Sequence, residues 1–146
     1  MNTNLALPLS VENLIPHRSP VRLVDRLIQF ENFSGIVESV IRNDNLFLKK
    51  GGELEPCAMI ELIAQSFAAV KGYGDLLNGK FFKMGFLVTV KEMQFTGRAR
   101  LDDRLHIVIE PVGETDDFAI GKGKVMRGDD VIAKGRIMVW LVNETA

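Results

Sequence analysis

Pro56-Cys57-Ala58-Met59-Ile60-Glu61-Leu62-Ile63-Ala64-Gln65-Ser66-Phe67-Ala68-Ala69-Val70 determines what the remaining chain can build. Between Cys57 and Val70 only Glu61, Gln65 and Ser66 are polar, and most of the other residues are good helix formers. Pro56 suits a first helical position, where a missing N–H is no loss, and Gly72 suits the far end. A strand of this length would be unusual. Apolar residues occur all round the segment, so it reads as a helix buried on most sides. It is too short and too interrupted to span a bilayer.

Glu61 is the only charge in that run, and Gln65 at i+4 projects from the same face. Two readings fit. The pair could be a wet seam or a satisfied polar contact on a mostly buried helix. Alternatively, a carboxyl sits in an apolar cleft as acid, base or orienter, since an unpaired buried carboxylate loses several kcal/mol to desolvation.

The chain of 146 residues has room for one domain, residues 1–146, with a sizeable core. With 47% hydrophobic and 25% charged residues it is a soluble globular sequence. A net charge of −1 gives no field favouring nucleic acid or anionic membranes. One cysteine excludes an internal disulfide, and with two histidines it leaves no zinc-type cluster, so neither a metal nor a cofactor is expected. The opening lacks the basic segment and apolar run of a signal peptide, and a cytoplasmic location is the default expectation.

Outward from the helix, Ser10 can cap a short turn over residues 11–15, which must end before Pro16-His17-Arg18-Ser19-Pro20. Residues 21–32 and 35–42 read as strands, the second by its alternation. Residues 43–55 are loop-like. Four more strands are expected over 84–95, 104–112, 117–127 and 130–142, separated by Gly97, Asp102-Asp103, residues 113–116 and Gly128-Asp129. So many hairpin-like breaks imply a mostly antiparallel sheet, and one buried helix needs that sheet curled around it, an α+β domain. Its open edges would be covered by pairing with a second copy, so a homodimer is expected.

Several motifs carry no chemistry. Gly121-Lys122-Gly123-Lys124 lies in a strand and is not followed by a helix, so it is no phosphate loop. The Asp-Asp pairs sit in turns, where Asp is favoured by the backbone. No serine has a nucleophile-elbow context. Cys57 reads first as a small buried packing residue, with a dipole-stabilised thiolate as the alternative. His106 falls in a strand and reads as structural. His17 lies between two prolines in an irregular segment, where function is more common, but it could equally be a loop histidine capping a backbone group.

Leu14-Ile15-Pro16-His17-Arg18-Ser19-Pro20-Val21-Arg22-Leu23-Val24-Asp25-Arg26 resembles the opening signature of the 3-hydroxyacyl-acyl carrier protein dehydratases. Glu61-Leu62-Ile63-Ala64-Gln65 resembles their central-helix Glu-x-x-Ala-Gln, and Leu101-Asp102-Asp103-Arg104-Leu105 their Gly-Asp-x-Leu. Gly85-Phe86-Leu87 and Met93-Gln94-Phe95 sit where that family has its first strand after the helix. The resemblance implies a hot-dog fold, a curved antiparallel sheet wrapped around one long helix, with a dimer as the minimum unit. It implies reversible loss of water from a 3-hydroxyacyl thioester held on acyl carrier protein. The departure is at or near Phe47, in Asn45-Leu46-Phe47-Leu48-Lys49-Lys50, a stretch without histidine where the common branch carries a catalytic one. In that respect the chain resembles a divergent branch that includes the dehydratases of aryl polyene gene clusters.

On this resemblance His17 takes the place of the missing base and Glu61 is the acid that protonates the departing hydroxyl. Gln65 orients Glu61, and N–H groups around Cys57 and Ala58 receive the thioester oxygen. Pro20, Phe86 and Leu87 complete the expected substrate-binding set. A hot-dog acyl thioesterase, and a non-catalytic acyl-binding subunit paired with a related chain, are the alternatives.

Overall fold

The computed structural model describes residues 5–80 and 84–142. The first four residues, on which the reading of the opening partly rests, lie outside the described residues. Strand β1 (Leu9–Ser10) leads into a 3-10 turn at Val11–Asn13, and the Ser10 hydroxyl accepts from Glu12 N–H at 3.3 Å. Then come β2 (Arg26–Glu31), β3 (Ser34–Val40), the helix α1 (Cys57–Leu77), β4 (Met84–Phe95), β5 (Arg104–Glu114), β6 (Phe118–Arg127) and β7 (Asp130–Val142). All pair antiparallel in one sheet of order β1-β2-β3-β5-β6-β7-β4. The sheet wraps α1, which is the arrangement the resemblance implies.

The packing follows from alternation. Val37, Leu105, Ile107, Ile109, Val125 and Ile137 point to one face and are fully buried there with Met59, Leu62 and Ile63 of the helix. Each such large side chain contributes about 1.5–3 kcal/mol on leaving water. Glycines in β6 allow the close approach. A Cβ on Gly121 would lie 2.3 Å from the Phe67 ring, and one on Gly123 would lie 2.5 Å from Ile63. The Gly-Lys-Gly-Lys run is therefore a helix bed. The β6–β7 turn at Gly128-Asp129 uses Gly128 at φ +61°.

Three expectations need correction. The strand expected over 21–32 begins only at Arg26, because the backbone of residues 21–23 bonds to Gln65 instead of a neighbouring strand. The helix does not stop at Gly72 but continues to Leu77. Gly74 costs the helix about 1 kcal/mol relative to Ala, but its missing side chain makes room for Phe33, whose ring would lie 2.1 Å from a Cβ there. The true stop is Asn78, whose side chain donates to the Gly74 carbonyl, followed by Gly79 at φ +69°. Finally, Cys57 is exposed, not buried: it lies on the outer face of the first helical turn, whose next two residues, Ala58 and Met59, are fully buried.

His106 does pack structurally, but in a polar setting. It faces Glu38 at 3.5 Å, and Glu38 also receives Arg26 at 2.8 Å and Arg104 at 2.9 Å. Burial raises the Glu38 pKa, but the two guanidinium hydrogen bonds and their charges outweigh it, and the carboxyl ends below its ordinary range.

Candidate active site

Val11, Leu14 and Ile15 are buried and anchor the 3-10 turn. Arg18 then folds back, donating to the carbonyls of Ile15 and His17 at 2.8 Å and of Glu12 at 3.0 Å. Five donors on one rigid guanidinium make Arg18 a clamp for an otherwise irregular loop. His17 is held half-buried, and its Nδ1 is buried without a hydrogen-bond partner among the described residues.

Gln65 joins this loop to the helix. Fully buried, it accepts from Leu23 N–H at 2.8 Å and donates to the Val21 carbonyl at 2.9 Å and to Glu61 Oε1 at 2.8 Å. The Leu23 N–H can only meet an acceptor, so it fixes which way the amide faces, and Nε2 must point at Glu61. One Glu61 oxygen is thereby held, while the other has no partner among the described residues. Ser39 adds a further tie by donating to the Leu23 carbonyl at 2.6 Å.

His17 and Glu61 line one cavity of about 250 Å³ between α1 and the β4–β7 edge. Phe86 and Leu87 of β4 line it too, and Val139 and Leu141 of β7 supply apolar wall. Along the helix it follows Glu61, Ala64, Ala68, Lys71 and Asp75, one face at helical spacing. Lys71 and Asp75 were not singled out in the sequence, although the i+3/i+4 steps from Glu61 would have found them. Lys71 bonds Glu114 at 2.6 Å and Asp75 at 3.4 Å, which places a closed ion network at the cavity's far end.

The other expected residues lie elsewhere. Pro20 lines a separate small cleft with Ser19 and Arg42. Cys57 and Ala58 do not line the cavity, and Ala58 N–H already donates to the Glu55 carbonyl at 3.0 Å. Phe47 is a loop packing residue, half-buried, with its N–H on Asn45 Oδ1 and its carbonyl accepting from Glu55. Asp25 and Arg26 of the opening motif are structural. Asp25 accepts from Val40 N–H and pairs with Arg42, while Arg26 pairs with Glu38. Among the described residues no cluster of His, Cys, Asp and Glu could hold a metal, and no helix is long and apolar enough to cross a membrane.

An antiparallel sheet around one helix defines a hot-dog fold, here with an imidazole and a carboxyl lining a common cavity. Comparison narrows the class. The family model of the ApeP-like proteins (ApeP dehydratase) matches residues 9–146, and the chain belongs to this dehydratase family. It is 27% identical over 131 residues to the 3-hydroxyacyl-[acyl-carrier-protein] dehydratase FabZ of Clostridium kluyveri, covering 88% of this chain and 90% of that one. Among solved structures, the dehydratase heterocomplex ApeI:P from Xenorhabdus doucetiae superposes with a TM-score of 0.86 at 19% identity, covering 93% of each chain. A hypothetical thioesterase from Streptococcus pneumoniae, solved with coenzyme A, superposes at 0.63 with 14% identity over 82% of this chain and 87% of that one. The two structural likenesses concern the fold.

Proposed function

We propose that the chain converts a 3-hydroxyacyl thioester, presented on acyl carrier protein, into the 2-enoyl thioester and water. The His17 imidazole takes the C2 proton, the C2–C3 double bond forms, and the C3–O bond breaks. The departing hydroxyl takes a proton from the Glu61 carboxyl and leaves as water. Proton exchange with solvent then returns both groups to their starting states. Gln65 does not touch the reacting atoms; it is a positioning residue for Glu61 and for the loop that carries His17. Of the two helix N–H groups suggested for the thioester oxygen, that of Cys57 remains unengaged.

The observation that carries this reading is the shared cavity of His17 and Glu61, with Glu61 tied by the buried Gln65 amide to Val21 and Leu23, in the segment that follows His17. A single proton-transfer partner contributes typically 10²–10⁴-fold to rate. His17→Ala and Glu61→Gln are each expected to lower turnover of a 3-hydroxyacyl carrier substrate at least ~10²-fold with thermal unfolding little changed. Wild-type turnover in both variants would end the mechanism. Release of free thiol with no enoyl product would select thioester hydrolysis instead.

A second hot-dog subunit, either another copy or a related chain, would complete the unit along β4. Among the described residues that strand pairs with β7 alone, and near its start Phe86 and Leu87, which line the cavity, and Val88 are 42–52% exposed. Native mass spectrometry of the chain alone and mixed with a related hot-dog subunit distinguishes the two partners.

A further inference from the structure

We propose that Phe67 is the partition that sets how long an acyl chain the site accepts, with a second, mostly apolar pocket, itself partly open to solvent, on its far side. This rests on the acyl-thioester reading above. A separate cavity of about 320 Å³ lies on the other flank of the helix, lined among others by Phe33, Val70, Val112 and Ala119. Phe67 and Lys71 are the two residues common to its lining and to that of the cavity holding His17 and Glu61. Spacing along α1 explains why. Glu61, Ala64 and Ala68 follow the first cavity, Val70 faces the second, and Phe67 stands on the boundary with its ring between them.

That ring is held firmly in place. Phe67 is 6% exposed and its ring packs against Gly121, where any Cβ would come within 2.3–2.5 Å of its ring atoms. Gly121 thus provides a bed that no other residue could leave open. Lys71, the second shared residue, is bound at its head to Glu114 and Asp75, so the part of the wall that can be removed without breaking ion pairs is the phenyl ring. Ala64 and Ala68, small and half-buried, leave the first cavity open along the helix up to that ring. An alkyl or aryl tail entering past Glu61 therefore meets Phe67 and stops. The space beyond is mostly apolar and suits the distal end of a longer tail.

The test uses the full chain and a graded series of straight-chain acyl-pantetheine amides, which bind as the thioester would but cannot react. Affinity measured by calorimetry should rise with length in the wild type and then level off. In Phe67→Ala it should keep rising past that length by about fourfold per added methylene, the equilibrium equivalent of burying one CH2, while affinity for the shortest probes stays unchanged. Phe67→Leu, a milder truncation, should move the limit by a smaller step and serves if the alanine variant unfolds. Ala119→Leu added to Phe67→Ala refills the second chamber from β6 and should restore the original limit. An identical levelling-off length in wild type and both Phe67 variants would overturn the partition alone. If no amide of any length binds the wild type, the acyl-thioester reading falls and this proposal with it.

Discussion

Replacing Gln65 with Leu tests whether one buried amide holds the site together. The substitution keeps the volume but removes the bonds to Leu23 N–H, the Val21 carbonyl and Glu61 Oε1. Three hydrogen bonds at about 1 kcal/mol net come to about 3 kcal/mol, and an orphaned buried N–H adds about 1–3 kcal/mol. The more apolar side chain offsets about 1 kcal/mol. The expected loss is about 3–5 kcal/mol, and at about 2–4 °C per kcal/mol the midpoint falls by about 6–20 °C. Thermal unfolding by circular dichroism measures the total. Amide hydrogen exchange localises it, because the Leu23 N–H, bonded to a side chain and not to a strand, should lose its protection before those of β5 and β6. A midpoint within about 2 °C of wild type, with Leu23 still protected, would refute the role of Gln65 as the link between the His17 loop and the helix.

Two further outcomes follow from packing and charge. Glu38 has a folded pKa below its ordinary 4.5, so it contributes stability that is fully present above that value and lost as pH falls through the lower folded one. Glu38→Gln should therefore flatten the acid limb of stability against pH, and an unchanged limb in urea titrations would count against the Arg26–Glu38–Arg104 cluster. Gly74→Ala should destabilise although Ala is the better helix former. Its methyl would overlap the Phe33 ring at 2.1 Å, and overpacking of this kind costs about 1–3 kcal/mol against about 1 kcal/mol of helix propensity. An increase in melting temperature would show that the ring of Phe33 moves aside at little cost.

Local signals located most of the elements. The boundaries of β4 and β7 fall where alternation and turn residues place them, and the 3-10 turn begins at its Ser10 cap. Misreadings arose where a distant partner overrides a local preference. Residues 21–25 have strand composition, but Gln65 lies more than forty positions away and takes two of their backbone groups. Gly72 looks like a helix end, yet the helix runs on through Gly74, a site of close approach for an aromatic ring. Cys57 has the composition of a core residue and an exposed position, since burial depends on which face of the turn meets the rest of the fold: Ala58 and Met59 beside it are buried.

By itself the sequence determined that a helix carrying Glu61 as the one charge of residues 57–70 would be enclosed by an antiparallel sheet, because periodicity and turn chemistry are local properties of the chain. It also marked His17 and Glu61, through their irregular and apolar settings. Only the tertiary structure decided that these two face the same space, that Gln65 bonds Glu61 and the backbone of Val21 and Leu23, and that Phe67 lines two cavities. Those facts depend on how the sheet curves and which strand lies across from which helix turn, and no spacing along the chain encodes the distance across a fold.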